Sequence, residues 1–178
     1  MTLVVDTNVI LVANRQHADV SEACIVTCAK RLREIMKTGR IAIDDSYQIL
    51  KEYQNKTLSH VGKGPGDTFV KWLLRNNANA SRCDQVTLVD HPERGFESFP
   101  DDPRLASFDP PDRKFVAVAA AHSQRPSIFQ AADSKWLGWA PALADHGLTV
   151  EFLCPKDIQS FDEKKKKRKK KRRKGTKR

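Results

Sequence analysis

Short apolar and β-branched runs alternate along the chain with longer segments in which apolar residues recur at helical spacing. That alternation is the pattern of βαβ units around a parallel sheet. The runs predict five strands, at residues 2–5, 40–43, 85–89, 127–131 and 148–153. The intervening periodicity predicts helices at 20–37, 46–57, 67–77, 112–123 and 134–145. The fourth helix has the clearest face, because Phe115, Val118, Ala119 and His122 fall at i, i+3, i+4 and i+7 and form a stripe that lies against a sheet. Two segments interrupt the pattern, 60–66 with its closing glycines and proline, and the irregular stretch 90–108. Phe96, Phe99 and Phe108 are expected to cover an edge of the domain's own core, a commoner fate for aromatics than stacking on bases.

Charge changes the picture at one end. The 178 residues carry 32 Lys and Arg against 22 Asp and Glu, a net charge of +10, yet 13 of the basic residues lie in 164–178, which holds no acid. Without that segment 19 basic residues face 22 acidic ones, so a slightly acidic globule (1–163) carries a cationic arm (164–178). Lys164, Lys165, Lys166, Lys167, Arg168, Lys169, Lys170, Lys171, Arg172, Arg173 and Lys174 form an unbroken basic run. Such a run is self-repelling and poor in apolar residues, so a disordered arm is expected, one that attaches to nucleic acid through counterion release. A localisation signal or a solubilising end are the plainer readings of the same run.

The longest apolar run, 115–121, is far too short to span a bilayer, and no basic region precedes a long apolar segment at the start. A soluble protein without a secretory leader is expected. Cys24, Cys28, Cys83 and Cys154 form no C-x-x-C pair, which favours reduced thiols and a cytoplasmic setting, or a nuclear one in a eukaryote. Cys24 and Cys28, four apart on one helix, read as buried thiols before they read as metal ligands.

In an open parallel sheet, ligands bind beyond the carboxyl ends of the strands, so acids just after a strand are the candidates for chemistry. Asp6 follows the first strand, Asp133 follows the fourth, and Asp112 opens the helix that feeds the fourth. Aspartate is also a favoured helix cap. Asp109-Pro110-Pro111-Asp112 reads as a capping arrangement, with Asp109 as the cap and Asp112 three residues on. Asp6 is not explained by capping alone, since Asp6-Thr7-Asn8 lies directly between two apolar runs.

Val5-Asp6-Thr7-Asn8-Val9-Ile10, Ser46-Tyr47-Gln48-Ile49-Leu50-Lys51-Glu52-Tyr53, Asp112-Arg113-Lys114-Phe115-Val116-Ala117 and Ala132-Asp133-Ser134, in this order across about residues 2 to 154, resemble the PIN-domain nucleases. The resemblance implies a three-layer α/β/α fold whose first strand is central in the sheet. It implies an acidic site of Asp6, Glu52, Asp112 and Asp133, with Asn8 as a polar helper. Glu52 enters only through the resemblance, since a glutamate on a helix flank is ordinarily solvated. Many members of that family carry another Asp or Asn two residues after the fourth acid. Here that residue is Lys135, which would bind a phosphate or neutralise Asp133 and leaves occupancy of a second metal position open.

Four clustered carboxylates repel one another unless they share a cation, and oxygen-only ligands favour Mg²⁺ or Mn²⁺ over Zn²⁺. The expected reaction is metal-dependent phosphodiester hydrolysis, with RNA as the first substrate, DNA as the alternative, and an inhibitory protein or a second copy as further partners. Two other readings stand beside it. One is a non-catalytic RNA-binding or assembly protein on the same fold. The other is a haloacid dehalogenase-like phosphatase using Asp6, a family that wants a second Asp where this chain has Asn8.

Overall fold

Val4 and Val5 are fully buried and Thr2 and Leu3 nearly so, so the first apolar run has no face left for water. It becomes a strand covered on both sides, as parallel sheets require. The computed structural model describes residues 1–175. In chain order it contains β1 (Thr2–Val5), α1 (Thr7–Ala13), α2 (Glu22–Thr38), β2 (Arg40–Asp44), α3 (Gln48–Lys56), α4 (Pro65–Asn76), β3 (Cys83–Val86), β4 (Asp90–His91), β5 (Gly95–Phe96), α5 (Arg113–Ala121), β6 (Ser127–Gln130), α6 (Lys135–Asp145), β7 (Val150–Phe152) and α7 (Pro155–Gly175). Short 3₁₀ turns at Pro103–Leu105 and Pro110–Asp112 precede α5.

The fold is α/β, with a five-stranded parallel sheet of order β3-β2-β1-β6-β7. β1 is therefore central, with Leu3 opposite Ile41 on one side and Ser127 on the other. Strand order runs outward from β1 to β3, then returns to its other side for β6 and β7. Right-handed crossovers consequently place α5 and α6 on the face opposite α2 to α4, and the carboxyl ends of all five strands share one edge. The reversal occurs between β1 and β6, which makes the ends of these two strands the crevice of the sheet.

The strands at 2–5, 40–43 and 127–131 are found within a residue or so of expectation, and α2 to α6 within a few. β3 starts two residues earlier than the pattern predicts. Cys83 pairs with Ile41, and the Asp84 carboxylate accepts from Thr2 Oγ1 at 3.0 Å and is paired with the Arg40 guanidinium. The seven-residue helix α1 is an addition, since its buried Val9, Ile10, Val12 and Ala13 span too few turns to declare a period. Phe96, Phe99 and Phe108 are buried as expected, with the Phe108 ring 4.3 Å from Trp139 and 5.0 Å from Trp136, centroid to centroid.

Two further expectations differ from what is found. Where a disordered arm was expected from residue 164, α7 continues as helix to Gly175. Its first turns are anchored by fully buried Ile158 and half-buried Phe161. Lys and Arg have good intrinsic helix propensity, and extending an existing helix avoids the cost of nucleation. Residues 176–178 of the arm lie outside the described residues, as do the side chains of Lys169, Lys171, Arg172, Arg173 and Lys174. The expectation of four free thiols is also corrected, because Cys24 and Cys154 form a disulfide, while Cys28 and Cys83 remain free and buried. The partners are 130 residues apart, so no spacing rule could pair them. Among the described residues, no helix is long and apolar enough to cross a membrane.

Closing a loop of 130 residues removes denatured-state entropy equivalent to up to about 5 kcal/mol. Adding a reductant, or substituting Cys154→Ser, is therefore expected to lower the urea midpoint by several tenths of a molar or more without changing far-ultraviolet circular dichroism. An unchanged midpoint would show that the cross-link does not constrain the unfolded chain.

Candidate functional site

The crevice gathers acids from four elements. Asp6 leaves the end of β1 and caps α1, its carboxylate accepting from the Asn8 backbone N–H at 2.8 Å. Capping thus does account for part of Asp6. It is not the whole account, because the side chain is also 4 % exposed and held in the electrostatic field of Asp112, Glu52 and Asp133. Burial first, then those neighbours, push its carboxyl well above the ordinary aspartate range, while the Asn8 N–H partly offsets the shift. The Asn8 side chain in turn accepts from the Ala132 N–H at 2.8 Å, which ties the loop after β6 to α1 and sets the position of Asp133.

Asp112 sits at the start of α5, yet makes no side-chain cap bond, and neither does Asp109 before it. Asp109 does occupy the N-cap position with Pro110 first in the turn, as the sequence suggests, but the side-chain bond of a cap is absent. The two prolines instead set a 3₁₀ turn that points both carboxylates into the crevice: Asp109, Asp112 and Asp133 offer oxygens that all lie within 4.8 Å of one another. Partial burial, then Glu52, Asp109 and Asp133, raise the Asp112 carboxyl to about 6, against a lowering contribution from Lys114. Asp133 is oriented by its own helix, accepting from the Lys135 N–H at 2.9 Å.

Glu52 is brought to the crevice by α3, but both of its oxygens are engaged. One accepts from Thr7 Oγ1 and the other is paired with the Lys114 ammonium. α3 itself is fixed from below by Tyr53, whose buried hydroxyl donates to the Val5 carbonyl. Lys135 feels the charge of Asp133 but is not ion-paired with it among the described residues. Its ammonium is paired with Asp109.

Two residues of this site were missed by sequence reading. Asp109 was hidden behind a plausible cap. Lys114 is 7 % exposed and also donates to the Pro111 carbonyl; in the sequence it only closes the charged triplet Asp112-Arg113-Lys114 ahead of the apolar residues 115–121, which gives no sign of burial. The arrangement therefore alternates fixed charges, with Lys114 on Glu52 and Lys135 on Asp109 flanking the less compensated Asp6, Asp112 and Asp133.

Beside the crevice runs a groove of about 680 Å³ whose floor includes Asn8, Ala132, Asp133 and Ser134. Comparison of the chain with known protein families, curated proteins and solved structures finds no match.

An all-oxygen group of three carboxylates fits a hard divalent cation, and their repulsion, visible in the raised Asp112 carboxyl, is what such a cation would relieve. In the cation-free protein, Asp112 binds its proton more tightly when folded than when unfolded. Its contribution to stability is thus greatest below pH ~4 and is lost as pH rises through about 6. Asp112→Asn should raise the cation-free Tm at neutral pH and erase the further rise that Mn²⁺ produces in the wild type. A Mn²⁺-induced shift that persists undiminished in the variant would remove Asp112 from the ligand set.

Proposed function

We propose that this protein is a metal-dependent nuclease of PIN-domain type that hydrolyses phosphodiester bonds, with RNA as the first substrate to test. The observation that supports this reading best is the convergence of Asp109, Asp112 and Asp133 oxygens within 4.8 Å of one another, next to buried Asp6 at the end of the central strand. The central position of β1 and the approach of Glu52 from α3 agree with the PIN resemblance.

Asp109, Asp112 and Asp133 would hold Mg²⁺ or Mn²⁺, with Asp6 behind them, and the cation would supply an acidified water and charge stabilisation of the phosphate. The chain's own residues prepare that setting. Asn8 fixes the Asp133 loop through Ala132, and the Asn8 N–H fixes the Asp6 carboxylate, so neither acid has to be ordered when substrate arrives. Lys114 keeps Glu52 from adding its full charge to the cluster. Lys135, whose exposed ammonium is paired with Asp109, is placed to exchange that partner for a phosphate oxygen.

The same lysines favour a second reading, a non-catalytic nucleic-acid-binding protein on this fold. Lys114 and Lys135 already compensate two of the five acids, as the cations of a disused metal site would. The phosphatase reading has less support, since Asp6 is buried and engaged with the Asn8 N–H where a nucleophile would have to be presented to substrate.

A cleavage assay separates these readings. Wild-type protein with Mn²⁺ is expected to cut a mixed-sequence RNA, and Asp112→Asn and Asp6→Asn are each expected to slow cleavage by about a hundredfold or more while unfolding cooperatively. Full turnover in folded Asp112→Asn would overturn the nuclease assignment. No turnover in the wild type, with retained RNA binding, would select the non-catalytic reading.

A further inference from the structure

The groove next to the acids has two walls. One is the loop between α1 and α2, with Gln16, His17, Ala18 and Asp19; the other is α7, with Phe161, Lys164, Lys165 and Arg168. Those four α7 residues stand at i, i+3, i+4 and i+7, so they form a single helix face. The basic run is therefore not an undifferentiated arm. Part of it is a wall of a built groove, and that groove shares Asp133 with the acidic crevice.

α7 is held in this position by contacts at its root. Asp157 accepts from the Ser21 N–H at 2.9 Å and from Ser21 Oγ at 2.8 Å, Ile158 is fully buried, and Cys154 is bonded to Cys24 on α2. Further along, Lys165 Nζ donates to Ser134 Oγ at 3.2 Å, one residue from Asp133. Across the groove the rings of His17 and Phe161 are 6.1 Å apart, centroid to centroid, and Lys164 Nζ lies 5.7 Å from the Phe161 ring. Cations that can follow a phosphate backbone thus alternate with flat rings that can take an unpaired base, the combination by which proteins hold single strands. A paired base has no free face to offer such rings.

We infer that the groove between His17 and the Phe161–Lys164–Lys165–Arg168 face of α7 is a subsite for single-stranded nucleic acid, which seats the nucleotides next to the scissile phosphate. The inference deepens the nuclease reading by naming the strand state of the substrate, and it rests on that reading only for the word scissile. Lys165 and Arg168 hold backbone phosphates, and Phe161 and His17 stack with a base. Lys166 and Lys170, which are exposed on other faces of the same helix, add only general attraction.

The test is fluorescence anisotropy with a labelled twelve-nucleotide oligouridylate and a twelve-base-pair RNA duplex, in EDTA so that no cleavage is needed. Lys165→Ala/Arg168→Ala should weaken single-strand binding by about tenfold or more and flatten the slope of log affinity against log salt by roughly 1.4, at ~0.7 per phosphate contact. The charge-matched Lys166→Ala/Lys170→Ala should cause a clearly smaller loss. His17→Ala should lower single-strand affinity by about fivefold or more, through lost stacking, and leave duplex binding as it was. Equal losses in the two double variants, or equal losses for strand and duplex in His17→Ala, would overturn the inference and leave the arm a nonspecific tether. Displacement of the oligonucleotide by polyglutamate at matched charge concentration would not be expected; if it occurred it would overturn the inference in favour of an acidic protein partner. Because binding is read without turnover, an inactive wild type would count against the nuclease reading alone.

Discussion

A carboxylate placed at the end of a buried central strand is the constraint on which the rest of this architecture turns. Asp6 leaves β1 at a point where water is almost excluded, and three other acids approach it from α3, α5 and the loop after β6. Such a group is tolerable only if the surroundings supply donors, cations or a proton. The Asn8 N–H, the Lys114 ammonium on Glu52 and the raised proton affinity of Asp112 are the three responses visible here. Even the shape of the approach to α5 follows from it, since the Asp109 and Asp112 carboxylates are turned into the crevice and leave the first turn of the helix without a side-chain cap.

Most of the scaffold was legible because its strands are short, apolar and buried on both faces, which leaves one interpretation for runs such as 2–5 and 127–131. The location of Asp6 and Asp133 followed from those strands. What could not be read has physical reasons. α1 is too short for a period to emerge, and β3 is placed by Asp84 pairing with Arg40 and Thr2, a side-chain interaction between positions far apart in sequence. Asp109 matched a local rule that the crevice overrides. Glu52 has no local signature, and its place depends on α3 crossing the end of β1, where Tyr53 meets the Val5 carbonyl.

α7 connects the two electrically opposite parts of the sequence. A globule with more acids than bases would repel a polyanion from its own acidic crevice at long range. The structure brings Lys164, Lys165 and Arg168 to the rim of that crevice, so attraction and chemistry would occupy adjacent ground. The placement depends on a small set of contacts at the root of the helix, notably Asp157 with Ser21 and Ile158 in the core.

The bond between Cys24 and Cys154 has a topological consequence. It encircles every strand of the sheet except β1, together with the surface segments 57–64 and 97–109 where a protease would find exposed chain. A backbone cut at either segment would yield two pieces still joined covalently, with β1 and α2 on one and β6, β7 and α7 on the other. The halves of the acidic crevice would then remain tethered, and a nicked molecule would migrate as a single species until its disulfide was reduced.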